Sequence, residues 1–287
     1  DLLQAIAAIN PHVIVLLVAG APVEMPWLDQ VQAILNLYLG GEHIGTATAR
    51  VLTGQVNPSG KLAETYPKRY QDVVSAEIYD KHTRAVPYVE SSYIGYRYFD
   101  KAKVPVAFPF GFGLSYTTFA IKHVRLVNDE VTDAQPVTVQ LDVTNTGDMD
   151  GAEVIQAYVK EQQPRPLRPE KALKAFKKVF IKAGETVAVQ LKLPAQAFKE
   201  WQEKTQTWVL PAAAKSVAIG TSAADIVATL PVHLNGTNVT NFKNIPDWYT
   251  TLSGKPTVHD FEQLTGQKVP PHHEFVPGEF TRLNTPR

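Results

Sequence analysis

Cysteine is absent from all 287 residues of this chain. That excludes disulfides, thiolate metal sites and a cysteine nucleophile. It leaves the compartment open, with the cytoplasm a marginal expectation, because many secreted proteins also lack disulfides. An excess of either charge is absent too, since 28 Lys and Arg balance 28 Asp and Glu. Nucleic acids and anionic membranes favour a basic excess, so neither is expected as a partner. Long apolar runs are also missing. The longest, Val13 to Val18, falls far short of the roughly 20 residues that span a bilayer. No signal peptide, internal repeat or low-complexity tract is visible.

What is present is ordinary globular material, 44% apolar and 20% charged, and the length suggests about two domains. The chain opens on Asp1-Leu2-Leu3-Gln4-Ala5-Ile6-Ala7-Ala8-Ile9, the body of an amphipathic helix with no start signal. It is therefore expected to be a piece of a larger protein. Asn10-Pro11 ends the helix, because the residue before proline is pushed out of the α region. His12 to Val18 is β-branched and continuous, as in a strand buried on both faces of a parallel sheet. A short helix over Trp27 to Asn36, a second strand within Ala33 to Leu39 and a helix over Glu42 to Leu52 complete an α/β pattern. Two strands make a sheet with raw edges, so the rest of this domain is expected upstream.

Residues 55–116 lack periodicity and are rich in Pro, Gly and Tyr. A loop region of this length is usually functional. From Thr118 the texture becomes that of short alternating strands: Ala120 to Val127, Val137 to Thr144, Val154 to Val159, Leu173 to Ile181, Thr186 to Leu193, Thr207 to Leu210 and Lys215 to Ile219. Strands at this spacing indicate a β-sandwich. Residues 231–287 read as a polar tail with one short helix at Asp260 to Leu264.

Several ordered motifs carry a resemblance. They are Pro22-Val23-Glu24-Met25-Pro26-Trp27, Gly40-Gly41-Glu42-His43-Ile44-Gly45 and Gly54-Gln55-Val56-Asn57-Pro58-Ser59-Gly60-Lys61-Leu62. Next come Tyr88-Val89-Glu90-Ser91-Ser92-Tyr93-Ile94-Gly95-Tyr96-Arg97-Tyr98-Phe99-Asp100 and Phe108-Pro109-Phe110-Gly111-Phe112-Gly113. Together they resemble glycoside hydrolase family three. Arg168-Pro169-Glu170-Lys171 and Phe198-Lys199-Glu200-Trp201 resemble the fibronectin type III-like domain of its β-glucosidase branch. The resemblance covers about residues 1–230. It implies an α/β plus all-β fold. An incomplete α/β/α sandwich occupies residues 1–117, a fibronectin type III-like (immunoglobulin-like) β-sandwich 118–230, and an extended tail or linker 231–287.

The resemblance also implies an absence. Retaining glycosidases use two carboxyl groups roughly 5–5.5 Å apart. In the family the nucleophile is an aspartate on a (β/α)8 barrel, and the acid/base is a glutamate in a loop before the helix matching residues 1–9. By this reading both lie outside the chain, which holds no catalytic residue and is inactive alone. The expected partner is a β-glucoside or oligosaccharide, reached through a parent enzyme. Neither cofactor nor metal is implied. The alternatives are a noncatalytic carbohydrate-binding or interaction module, with Trp201 and Trp208 as its candidate aromatic strip, and one half of a split glycosidase.

Within the chain, Glu90 with Tyr93 and Tyr96 forms the candidate substrate-contacting group. Aromatic faces stack on sugar rings and a carboxylate binds hydroxyls. The competing reading is a tyrosine-rich loop that only packs. The family usually has glycine after this glutamate, where the chain has Ser91-Ser92. Other features read as structural. Glu24 and Glu42 suit helix N-termini, and Gly111-Phe112-Gly113 suits a tight turn. Lys171, Lys174, Lys177 and Lys178 read as a solvated strand face, and His272-His273 is poor evidence for a metal.

Overall fold

The computed structural model describes residues 2–79, 86–239, 242 and 244–269; His272-His273 lies outside them. The chain begins with α1 (Leu2–Ile9), β1 (Ile14–Leu17) and β2 (Ala33–Asn36). β1 and β2 pair in parallel, Ile14 with Ala33 through Leu17 with Asn36. Residues 28–30 between them form a single 3-10 turn, shorter than the expected helix. Val13, Val15, Met25, Trp27 and Tyr66 form a small core under this sheet. Ile14 and Leu16, on the alternate positions, remain 55% and 45% exposed. α2 (Ile44–Leu52) follows Gly40-Gly41. A Cβ on Gly40 would stand 2.6 Å from Ile44, so only glycine lets the chain enter this helix.

Residues 55–116 carry little regular structure: β3 (Tyr66–Pro67), α3 (Tyr96–Ala102) and β4 (Val106–Phe108), with β3 pairing antiparallel to β4. Asn57 ties this region to the next. Its Oδ1 accepts from Ser115 Oγ and Tyr116 N, both at 2.8 Å, and its Nδ2 donates to Asp150 O.

The sandwich comprises β5 (Phe119–Leu126), β6 (Glu130–Val131), β7 (Val137–Asn145), β8 (Gly151–Glu161), β9 (Lys171–Ile181), β10 (Thr186–Leu193), β11 (Glu200–Gln202), β12 (Thr207–Val209), β13 (Lys215–Gly220) and β14 (Ile226–Leu234). One sheet has the order β10-β7-β5 and the other β6-β14-β13-β8-β9. Strict alternation in β7 buries Val137, Val139, Leu141 and Val143. These face Ile155, Ala157, Val217 and Ile219 from the second sheet, the usual face-to-face packing of a sandwich.

β14 is absent from the sequence reading because Pro231 sits in its middle, and proline within a run argues against a central strand. The structure accommodates it on the outer strand of a hairpin. β14 pairs with β13 along its length, but with β6 only at His233 and Leu234. Beyond β14 the extended tail is replaced, over the described residues, by α4 (Asp247–Thr251) and α5 (Val258–Thr265). α5 starts on a capping box made by Thr257 and Asp260. The tail folds back because Trp248, Tyr249, Leu252 and Leu264 supply apolar surface, which is buried with Tyr93, Tyr98 and Phe99. Among the described residues no helix is long and apolar enough to cross a membrane.

Candidate functional site at the Glu90 turn

The segment 86–95 runs from the loop region into α3. Two tight turns shape it: Ser91 N donates to Tyr88 O and Tyr93 N donates to Glu90 O, each at 3.0 Å. Ser91 has φ +54°, the left-handed region that favours glycine. Ser91 thus holds a backbone conformation that glycine adopts at lower cost. Glu90 is 7% exposed, and its Oε2 meets no hydrogen-bond partner among the described residues. Tyr88 on the same turn is largely open to solvent.

Tyr93 is fully buried. Its hydroxyl donates to Tyr249 O at 3.2 Å and accepts from Lys101 Nζ at 3.1 Å. Trp248 meets its ring edge-on at 6.0 Å, and Lys101 lies over the ring at 5.2 Å. Burial pushes the Tyr93 phenol up to about 12. The Tyr249 phenol is raised as well, first by burial and then by the charges of Asp260 and Glu90. At neutral pH both are therefore protonated donors and neither is a base.

Tyr96 points the other way, into the seam between α3 and the sandwich. It stacks on Phe110 at 4.6 Å and meets Tyr158 edge-on at 6.0 Å. Its hydroxyl accepts from Leu173 N at 2.9 Å. That amide is available because β9 carries a bulge against Ala157 and Tyr158. So the structure brings Glu90 and Tyr93 onto one turn and places Tyr96 elsewhere. The faces of Tyr93 and Tyr96 are engaged by the chain's own rings.

The seam is polar at its rim. Lys171 pairs with Asp100 at 2.7 Å, and Glu170 pairs with Lys103 at 2.5 Å and Lys160 at 3.4 Å. Lys171 is 8% exposed, so it is an interdomain partner and not part of a solvated face. Burial raises the Asp100 carboxyl although Lys171 opposes it. An open crevice of about 390 Å³ lies among these residues, its charges largely neutralised by one another. Gly111, with φ +80°, accepts at its carbonyl from Gln156 Nε2, and a Cβ there would stand 2.4 Å from the Gln156 amide. The tight-turn reading of Gly111-Phe112-Gly113 thus has a cause in close docking. Glu24 is also structural: its Oε1 accepts from Tyr70 N at 2.5 Å.

The sequence reading missed two groups. One is the ion cluster in which Glu200 binds Arg165 at 2.7 Å, Arg168 at 2.9 Å and Lys215 at 2.9 Å, with Glu161 beside it. Burial opposes ionisation of Glu200, but Arg165, Lys215 and Arg168 together hold its carboxyl down to about 2. The Arg168 and Glu200 motifs, separate in sequence, meet in one contact. The other is Lys101, which donates to the carbonyls of Arg165 and Arg168. Burial lowers it to about 8, although Glu161 and Glu170 pull it upward. Among the described residues no group of three or more His, Asp or Glu side chains could hold a metal ion.

An α/β element tied through such a turn to a fibronectin-like sandwich is matched by known proteins in the same order. Residues 1–116 match the glycosyl hydrolase family 3 C-terminal domain, and residues 153–223 match the fibronectin type III-like domain. The chain belongs to glycoside hydrolase family 3. More particularly, it corresponds to the C-terminal part of β-glucosidase-like members. It is 40% identical over 236 residues to thermostable beta-glucosidase B of Acetivibrio thermocellus, covering 82% of this chain and 31% of that protein. It is 39% identical over 250 residues to an exo-alpha-(1->6)-L-arabinopyranosidase of Bifidobacterium breve, covering 87% and 32%. The crystal structure of a family 3 beta-glucosidase from Bifidobacterium adolescentis superposes with a TM-score of 0.76 at 38% identity, covering 91% of this chain and 37% of that one. The chain thus spans about a third of the length of these relatives.

Proposed function

We propose that this chain is the C-terminal part of a retaining β-glucosidase that removes a terminal β-linked glucose or a similar pyranose. The (β/α)8 barrel and both catalytic carboxylates then lie on polypeptide outside these 287 residues, and the chain alone is inactive. The carrying observation is that both domains match in order over most of this chain but only about a third of each relative. The open face of β1, with Ile14 and Leu16 exposed, supports an α/β unit that continues beyond this segment.

In this reading the Glu90 turn belongs to the rim of the sugar site. Glu90 is the contacting group, because its Oε2, unpaired among the described residues, is an acceptor that a sugar hydroxyl would satisfy. Tyr93 and Tyr96 serve as the supports that hold the turn and its helix. Double displacement would proceed between carboxylates supplied by the rest of the enzyme. The test is hydrolysis of an aryl β-glucoside by this chain alone. No turnover is expected, and turnover with retained anomeric configuration contradicts the proposal.

One observation favours a second reading, a noncatalytic saccharide-binding surface. Trp201 and Trp208 face each other across the β11–β12 hairpin with centroids 5.7 Å apart, and Trp208 is 53% exposed. An exposed indole face stacks on pyranose rings. Retention on an insoluble β-glucan that is lost in Trp208→Ala supports this reading; no retention removes it.

A further inference from the structure

The segment 244–269 lies beyond both matched domains, yet it meets the candidate site at several atoms. Tyr249 brackets Glu90 from both sides. Its hydroxyl donates to Val89 O at 2.6 Å, and its carbonyl accepts from Tyr93 OH at 3.2 Å. Trp248 packs edge-on against Tyr93 and contacts Tyr249 at 5.0 Å. Lys255 donates to Val73 O at 2.7 Å and lies 5.8 Å over the Tyr98 ring. A local lock closes the segment, because Trp248 Nε1 donates to Gly254 O at 3.3 Å.

The turn needs such support. It belongs to no helix or strand, it holds Ser91 in the left-handed region, and it keeps the Glu90 Oε2 buried without a partner among the described residues. Each feature is unfavourable, and such features persist only where the surroundings over-determine them. Within the sandwich, support comes from Ser92 Oγ, which donates to Leu167 O at 3.1 Å. Among the described residues Tyr249 is the one that bonds both Val89 and Tyr93, while Lys101 also holds the Tyr93 hydroxyl.

We propose that residues 244–269 form a clamp that sets the conformation of the Glu90 turn, with Tyr249 as its positioning residue. The tail is then a working part of the proposed sugar-site rim and not a linker. Only the saccharide role of Glu90 rests on the functional reading above; the clamp itself stands apart from it.

The test uses the whole 287-residue chain and follows individual amides by exchange NMR. Tyr249→Phe keeps the ring packing and removes the hydroxyl that holds Val89 O. Loss of one hydrogen bond predicts roughly fivefold faster exchange at the Ser91 and Tyr93 amides, with Val139 and Val217 in the sandwich core unchanged. Unchanged protection of Ser91 and Tyr93 in this variant overturns the clamp. A chain ending after Val239 provides the stronger perturbation. With the sandwich amides still protected, loss of protection at Ser91 and Tyr93 supports the clamp, and retained protection overturns it. Should the shortened chain lose its sandwich, Tyr249→Phe decides. Titration with methyl β-glucoside reads the saccharide role separately. A shift at Glu90 that weakens in Tyr249→Phe supports positioning of a sugar contact. No shift at Glu90, with exchange responding as above, leaves the clamp standing without a saccharide contact made by this chain alone.

Discussion

The two halves of this molecule solve the same problem to different extents. In the sandwich, β7, β8 and β13 each find partners on both sides, and Val139, Val143, Ile155 and Val217 are wholly buried. In the α/β part, two four-residue strands share one ladder, and every other side chain of β1 faces out. Parallel sheets are normally covered on both faces. The contrast teaches that adjoining matched segments need not be equally complete. The sandwich holds its own core, whereas the α/β portion draws support from its neighbours through the seam at Tyr96, Gly111 and Lys61, whose Nζ reaches Glu153 at 2.7 Å.

The largest way to break this contrast is to damage the sandwich from within. Glu200→Gln leaves Arg165, Arg168 and Lys215 without their shared carboxylate. Removing one partner of a buried ion cluster costs about 3–5 kcal/mol, so urea unfolding should shift by that order. The same cluster sets a pH dependence. The Glu200 carboxyl is depressed in the folded state, so its stabilisation is present above about 4.5 and fades as pH falls toward about 2. Glu200→Gln should lose this acid sensitivity, which a pH series of thermal melts reads directly.

Gly111→Ala attacks the seam. Its Cβ would meet the Gln156 amide, and its positive φ strains any L residue. A loss of about 2 kcal/mol is expected, with exchange rising in residues 55–116 ahead of β7. Tyr96→Phe leaves the Leu173 amide unpaired in the same seam. It should cost about 1 kcal/mol, measured by chemical denaturation.

The smallest effect sharpens the contrast without breaking it. Ser91→Gly relieves the left-handed backbone, and glycine's greater freedom when unfolded offsets part of the gain. A stabilisation of about 0.5 kcal/mol is expected, seen as slower exchange of the Tyr93 amide with the sandwich unchanged.

How much was legible in the sequence follows the same division. The alternation of Val137, Val139, Leu141 and Val143 marks a half-buried strand because side-chain direction has period two, and the structure places it there. The fold class and the family resemblance are likewise matched, because glycines required by close docking, such as Gly111, leave a fixed mark in the sequence. β14 was hidden by Pro231, whose effect depends on which side of the strand is unpaired. The candidate site was legible as a turn carrying Glu90. What supports it was not, since Tyr249 lies 159 positions from Glu90 in sequence and only tertiary folding joins them. The aromatic pair Trp248-Tyr249 inside a polar tail was the one available signal. The turn after Glu90 shows the reverse case, because Ser91 keeps a glycine-like backbone that its identity conceals.

The most direct measurement of this account is hydrogen exchange of the intact chain, resolved by segment. β7, β8 and β13 are expected to exchange only through global unfolding of the sandwich. β1 and β2 are expected to exchange much faster, through local opening at lower free energy. Equal protection of β1, β2 and the sandwich core would contradict it, because the α/β portion would then be as self-supporting as the domain it leans on.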